Sequence, residues 1–426
     1  MKSFIITYRI TLLEGEEITG KLEGICYEQS VEMPPDTISD DIRGRIVGRV
    51  NDCEQTGPRT YRAAIEWPAA NTGFEISQFL NVLYGNISLK PGIQVTGVDW
   101  DAFANRPASG DAGTGTGSVI SRSADSKSGS GAATSPNSGD RYGGAAGNSS
   151  TGAPAGPESG NSLFHGPAFG IDGIRSRLNI PERPLSATAL KPMGFTAQQL
   201  GDLCYHFALG GIDIIKDDHG LADQPYAPFR ERVRMCTDAI RRAADETGRA
   251  SVYIPNITGS WPDMMNRFET ARELGAGGVM ISPHITGLAA LDKLARLDDG
   301  LPVAAHPAFS GTLTMHGDSG FSKAFLYGEL WRALGADMVI YPNAGGRFSF
   351  SREECLQLNE TARRPLAAFR ACFPMPGGGI QRHNLPEWVT SYGPDTVYLL
   401  GGSLYQHPDG IEAAARQISD ILSETR

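Results

Sequence analysis

Basic charge is scarce in this chain. Its 38 lysines and arginines stand against 48 aspartates and glutamates, a formal net charge of −10. They gather in no stripe that could follow a phosphate backbone, which argues against nucleic acid as a partner. Paired cysteines are missing too. Cys26, Cys53, Cys204, Cys236, Cys355 and Cys372 lie far apart with no CxxC among them, which excludes a zinc knuckle, a redox dithiol and a secreted disulfide scaffold. They read as buried thiols of a cytosolic protein. Long apolar runs are also lacking, since no stretch approaches the roughly 18 apolar residues that span a bilayer. The opening "MKSFIITYRITLLEGEE" has too short an apolar run and no small-residue cleavage site. The expectation is a soluble, cytoplasmic protein with no membrane contact.

What is present begins with an alternating pattern. "FIITYRITL" reads as a strand, "GEEITGKLEGICYEQS" as a helix, "GRIVGRV" and "TYRAAIEW" as a strand pair, "FEISQFLNVLYG" as a helix and "GIQVTGVDW" as a strand. This β-α-β-β-α-β order is that of a ferredoxin-like α+β domain, placed at residues 1–104. Residues 105–161 are rich in Gly, Ser, Ala and Pro with almost no large apolar side chains, and such a tract cannot repay the entropy of ordering. It is expected to be a flexible insertion.

Residues 162–426 are regular. "LSATALKP", "GIDIIKDD", "SVYIPNIT", "GGVMISPH", "PVAAHP", "ADMVIYPN", "FPMPGGG" and "TVYLLGGS" are eight short strand-like runs separated by amphipathic helical segments, several of which end at Gly. Eight such units over roughly 240 residues predict an α/β fold of the (β/α)8 TIM-barrel type, with a doubly wound sheet as the alternative.

A barrel of this kind carries its chemistry at the C-terminal ends of its strands. Those ends supply Lys191, Lys216 to His219, Asn256, His284, His306, Asn343, Gly377 to Gly379, and Gly401 with Gly402. Because strand side chains alternate, Lys216 and Asp218 face one side and Asp217 the other. Two readings of this cluster stay open: a lysine neutralised by its aspartates that merely steadies a strand end, or a lysine that loses its charge by burial or carbon dioxide addition and joins Asp218 around Mg2+. His219 would be an unusual ligand for that ion. The glycine runs after the last two strands, with Gly378, Gly379, Gly401 and Gly402, suit a phosphate cradle as well as tight turns. Lys191, in a dry mouth, is a candidate general base, and His306 a second acid/base candidate.

"GGIDIIKDD" followed by "QPYAPFRERV", with "GPAFGIDGIRSRL", "NITG", "PGGGI" and "LLGGSLYQHP" in order, resembles the large chain of ribulose-bisphosphate carboxylase; "YEQSVEMP" and "LYGN" resemble its segments that reach a partner subunit. The resemblance implies a homodimer whose active sites form between subunits. It implies that Lys191 transfers a proton, that Lys216 is carbamylated, and that Asp218 holds Mg2+ together with the His219 position. It further implies that His306 is catalytic, that Gly378, Gly379, Gly401 and Gly402 bind a phosphate, and that Asn86 is donated from the other subunit.

Departures from the family pattern matter as much. His219 stands where the family has a metal-binding glutamate, Met193 where the carboxylase has its second lysine, and Pro307 where it has a phosphate-binding arginine. Ile340 or Tyr341 replaces an expected histidine. Groups for a second phosphate and for carboxylation are thus missing, and unpaired charges in a closed site cost several kcal/mol each. The chain is similar to the non-carboxylating, form IV members. The resemblance implies a singly phosphorylated substrate, with 3-oxo-isoapionate 4-phosphate decarboxylase or transcarboxylase/hydrolase as the first expectation. A 2,3-diketo-5-methylthiopentyl-1-phosphate enolase or a methylthioribulose-phosphate isomerase is the second, and a catalytically silent phosphate-ligand binding protein the third. A thioether pocket around Met193 and Phe195 would support the second.

Overall fold

Alternation carries the N-terminal half. In the computed structural model, which describes residues 3–103, 163–297 and 299–424, β1 (Ser3–Thr11) buries Phe4, Ile6, Tyr8 and Ile10 on one face, the period of two that the sequence shows. The following elements are α1 (Ile18–Glu28), α2 (Asp40–Ile46), β2 (Arg49–Gly57), β3 (Thr60–Pro68), α3 (Ile76–Tyr84) and β4 (Ile93–Val98). The antiparallel order β4-β1-β3-β2 is the expected ferredoxin-like arrangement.

Two expectations fail in this half. "GRIVGRV" is not one strand: residues up to Ile46 end α2, which Ser39 caps by accepting the Ile42 N–H, with Asp40 and Asp41 in the first turn and Arg43 and Arg45 in the last. That cap and charge placement outweigh the β-branched Ile46 and Val47. Cys53 is not buried like the other five cysteines. It lies on β2, the outermost strand of the sheet, almost all of whose residues are exposed.

All eight strand-like runs of the second half are strands. They are β5 (Leu185–Leu190), β6 (Ile214–Asp217), β7 (Val252–Ile254), β8 (Val279–Ile281) and β9 (Val303–Ala305), then, after a two-residue excursion β10 (Gly320–Phe321), β11 (Met338–Pro342), β12 (Phe373–Gly377) and β13 (Val397–Leu400). They pair in parallel in the order β7-β6-β5-β13-β12-β11-β9-β8. The ring closes through the Asn256–Met280 bridge, backed by N–H bonds from Ile257 to Met280 and from Met280 to Pro255, both 2.9 Å. β10 leaves the barrel to extend the N-terminal sheet beside β4.

Inside the barrel, Ile214, Ile254, Met280, Ala304, Ile340 and Met375 form a packed core. The helix Gly170–Leu178 adds Ile171, Ile174 and Leu178 to it where the strands begin. Two buried carboxylates tie down that same end. Asp337 accepts the N–H groups of Phe169, Gly170 and Val303, and Asp213 accepts both Arg183 and Ser186. The opposite end is left for chemistry.

Candidate active site

The strand registers put the functional residues at one end of the ring. Leu190 pairs with Asp217, Leu400 with Thr188 and Gly377 with Leu399. Lys191, Asp218, Gly378 and Gly401 each follow immediately at the same mouth.

Side-chain alternation at the end of β6 separates two jobs. Asp217 is fully buried and turned outward, where it accepts Arg232 Nε at 3.2 Å and Nη2 at 3.1 Å, the Tyr253 hydroxyl at 2.6 Å and the Asn256 N–H at 2.9 Å. A buried carboxylate needs this full set of donors. Asp217 and Arg232 therefore lock the strand end and leave Lys216 and Asp218 to the mouth.

Lys216 is 2% exposed, and its ammonium donates to the Asp217 carbonyl at 3.0 Å. Among the described residues no carboxylate comes within ion-pairing distance of it, so its charge is met by Asp217 and Asp218 only at longer range. Burial pushes its amine down to about 8; Asp218 opposes this and Lys191 adds to it. Asp218 receives the Lys191 ammonium at 2.6 Å, and His219 Nδ1 lies 3.4 Å from the same oxygen. Burial raises the Asp218 carboxyl, but the hydrogen bonds and charges of His219 and Lys191 outweigh it and hold the group well below the usual carboxylate range.

Across the mouth, the His306 ring stacks on His219, with centroids 4.5 Å apart and planes 9° apart. These residues come from the ends of β9 and β6, so the stack joins strands three apart in the ring. Burial, with help from Lys216 and His219, pushes His306 well below the ordinary histidine value. The ring is neutral at pH 7. Its Nδ1 accepts the Ala308 N–H at 3.1 Å, so its proton sits on Nε2, which remains a donor.

Two further residues brace the site. The Asn256 side chain donates to the carbonyls of His219 at 2.8 Å and Leu221 at 3.1 Å, clamping the loop after β6. The Tyr405 hydroxyl donates to the Ala189 carbonyl at 2.7 Å and accepts the Lys191 N–H at 2.9 Å, tying the loop after β13 to the catalytic-lysine candidate. Tyr405 and Arg232 stand inside the quoted motifs "LLGGSLYQHP" and "QPYAPFRERV", but nothing in the sequence alone distinguishes them. A signal for Arg232 exists in hindsight, because it falls on the apolar face of its helix with Phe229, Val233 and Cys236.

The glycine runs divide. A Cβ on Gly379, at φ +71, would lie 2.7 Å from the Gly345 carbonyl carbon and the Gly346 nitrogen, so that position is demanded by packing against the neighbouring loop. Gly401 and Gly402 face open space with nothing within 4 Å. Packing does not explain them. A recess of about 240 Å³ lies among residues that follow both runs, Arg382, His383, Ser403 and His407, against Ala414 and Gln417 of the last helix; none of the four glycines lines it. A concavity of about 680 Å³ lies instead between α1, α2 and β2 and gathers none of this chemistry.

Three predicted residues stand apart from the cluster. His284 packs beside buried Trp331, ring centroids 5.8 Å apart. Asn343 accepts the Tyr392 hydroxyl at 2.6 Å. Asn86 is exposed on the N-terminal half, where its amide donates to Glu28 at 3.2 Å.

As a cation site the mouth is incomplete until Lys216 changes. Among the described residues no three imidazole, carboxylate or thiolate groups converge as a ligand set. Asp218 offers oxygen and His219 nitrogen, and only a carbamate on Lys216 would add a third donor.

An eight-stranded parallel barrel behind a ferredoxin-like half, its mouth holding two lysines, an aspartate and paired glycine turns, defines the architecture of ribulose-bisphosphate carboxylases. Comparison with known proteins agrees: residues 170–423 match the ribulose bisphosphate carboxylase large chain, catalytic domain. The chain belongs to that family and is a RuBisCO-like member. It is 33% identical over 421 residues to ribulose bisphosphate carboxylase-like protein 1 of Rhodopseudomonas palustris, covering 98% of this chain and 97% of that one. It is 31% identical over 405 residues to a 5-methylthioribulose-1-phosphate isomerase of Rhodospirillum rubrum, covering 95% and 91%. The crystal structure of a Rubisco-like protein from Rhodopseudomonas palustris superposes with a TM-score of 0.75 at 30% identity, over 100% of this chain and 99% of that one.

Proposed function

We propose that the protein is a decarboxylase acting through an enediolate on a singly phosphorylated keto sugar acid, 3-oxo-isoapionate 4-phosphate, with carboxyl transfer and hydrolysis as the variant of the same chemistry. It is not a CO2-fixing carboxylase. The observation that carries this reading is the Lys191–Asp218 ion pair of 2.6 Å. A decarboxylation breaks a carbon–carbon bond, releases CO2, leaves the electron pair on the substrate as an enediolate, and then consumes one proton. A lysine already paired as an ammonium is ready to give that proton. An enolisation must instead begin by removing one, for which Lys191 would first have to lose its own proton.

The other groups take roles around that step. His306, neutral with its proton on Nε2, donates to a developing enediolate oxygen. The Lys216 amine, pushed down to about 8, adds CO2 with loss of one proton to solvent and becomes a carbamate. Asp218, that carbamate and His219 would hold a divalent ion, Mg2+ by family resemblance, and such an ion supplies charge stabilisation to the enediolate when bound. Gly378, Gly379, Gly401 and Gly402 hold the phosphate. The working form is a cytoplasmic homodimer in which Asn86 serves the partner's mouth.

A second reading, an enolase or isomerase of methylthio-sugar phosphates, is favoured by the name of the Rhodospirillum rubrum relative and by Met193. That thioether side chain is 46% exposed and lies against the loop after β6, where a Cβ on Gly220 would be 2.8 Å from its sulfur. A panel of phosphorylated keto acids and methylthio-sugars, assayed for CO2 release and for proton exchange, separates the readings. CO2 from the keto acid supports the first, exchange without CO2 from a methylthio substrate replaces it, and tight binding with no turnover of any compound indicates a silent ligand-binding protein.

A further inference from the structure

The turn after β9 is one that its own sequence does not favour. The Pro307 carbonyl accepts the Ser310 N–H at 3.1 Å across Ala308 and Phe309, and Phe309 holds φ +68 at the third position, where a turn of this kind favours glycine. Phe309 is 75% exposed, so burial of its ring does not offset that conformation. A backbone held this way persists only where its surroundings over-determine it. Here the surroundings are three buried hydroxyls, those of Ser310, Thr314 and Tyr327. Ser310 Oγ donates to the Pro307 carbonyl at 2.6 Å, which uses its one proton, so the Tyr327 hydroxyl, 2.7 Å away, donates to Ser310. Thr314 Oγ1 stands 3.2 Å from that same Tyr327 oxygen and 3.2 Å from the Ser310 carbonyl. Tyr327 lies in a π-helical stretch, Ala324–Leu330, a rare form found often at functional sites, and its ring meets buried Trp331 edge-on at 4.8 Å.

We infer that Tyr327 and Ser310 are positioning residues for His306. Their relay of hydroxyls holds the turn that aims the Ala308 N–H at His306 Nδ1, 3.1 Å away, and so keeps the His306 proton on Nε2. Without the relay the turn relaxes into a conformation easier for Phe309, Nδ1 loses its donor, and the proton is shared between the two ring nitrogens. The inference rests on the proposed function only in giving His306 a donor's part. Its test reads the ring without turnover, so a failed CO2 assay does not decide it.

The test uses the full chain, with no substrate, carrying 15N-labelled histidine. Two-bond nitrogen–proton spectra report which ring nitrogen holds the proton, and the set lost in His306→Gln identifies the His306 signals. The natural protein should show the Nε2–H pattern. In Ser310→Ala and in Tyr327→Phe the two His306 nitrogen resonances should draw together, the mark of exchanging tautomers, while those of His206 and His407 stay in place. A turn of purely structural value would lower the melting temperature and leave the tautomer unmoved. Tyr327→Phe removes a single oxygen and stays readable if Ser310→Ala does not fold. An unchanged His306 pattern in either folded variant, or a proton on Nδ1 in the natural protein, overturns the inference.

Discussion

At the scale of single residues, the mouth is organised by which charges are paired and which are not. Lys191 has a carboxylate partner and Lys216 has only a carbonyl, so two lysines within one mouth are prepared for different work. Replacing Lys191 with Met should lower kcat by about 10²- to 10⁴-fold, the span typical of a lost proton donor, with an unchanged melting temperature and retained phosphate-ligand binding. Turnover at the natural rate would remove Lys191 from the mechanism. Lys216 makes a pH prediction whose sign follows from its folded value of about 8, which lies below that of an unfolded lysine. The neutral amine that reacts with CO2 increases as pH rises through about 8, so preincubation with bicarbonate should activate the enzyme more at pH 8.5 than at pH 7. A Lys216→Met protein should show no such activation, as progress curves after bicarbonate preincubation would reveal.

At the scale of elements, β6 and its loop are held from outside by Arg232 and from the side by Asn256. Removing one partner of a buried ion pair costs about 3–5 kcal/mol, so Arg232→Met should lower the denaturant midpoint markedly although Arg232 is not part of the mouth. Asn256→Ala loses two buried hydrogen bonds to the loop carbonyls, about 1–3 kcal/mol, and should reduce activity more than a surface change of equal stability cost. His284 sets part of the acid limit. Burial lowers it to about 4, and its Nε2 has no hydrogen-bond partner among the described residues. Below the unfolded histidine value of ~6.5 the unfolded chain binds the proton that the folded chain refuses. Stability present above that pH is therefore lost as pH falls toward 4, and His284→Gln should flatten the melting-temperature profile across that window.

Much of this element structure was readable beforehand. Strands buried on both faces give short apolar runs between glycines and prolines, which marked all eight barrel strands, and the period of two separated Asp217 from Lys216 and Asp218. The unread parts depend on distance in sequence. The His219–His306 stack and the Tyr405 link exist only once the ring closes, and β10, two residues long, has no period to detect. Helix α2 was hidden because Ile46 and Val47 look like strand residues while its determinant, the Ser39 cap, is a single side chain.

At the scale of the whole molecule, the N-terminal half is more than a neighbour of the barrel. β10 continues its sheet, and Trp100 Nε1 donates to Glu329 at 3.0 Å. If Asn86 serves the mouth of a second copy, two inactive proteins should repair each other. Mixing Lys191→Met with Asn86→Ala chains under subunit exchange should restore about a quarter of the natural activity, since half the dimers are mixed and each of these has one intact mouth. No recovery despite demonstrated exchange would place each active site within one chain.

The most direct test of the account follows the proton. With 3-oxo-isoapionate 4-phosphate in heavy water, the natural protein should release CO2 and place one deuteron on the product carbon for each CO2 lost, and Lys191→Met should lose both together. CO2 release that survives the loss of Lys191, or an intact substrate that only exchanges its protons, would contradict the role assigned to the Lys191–Asp218 pair.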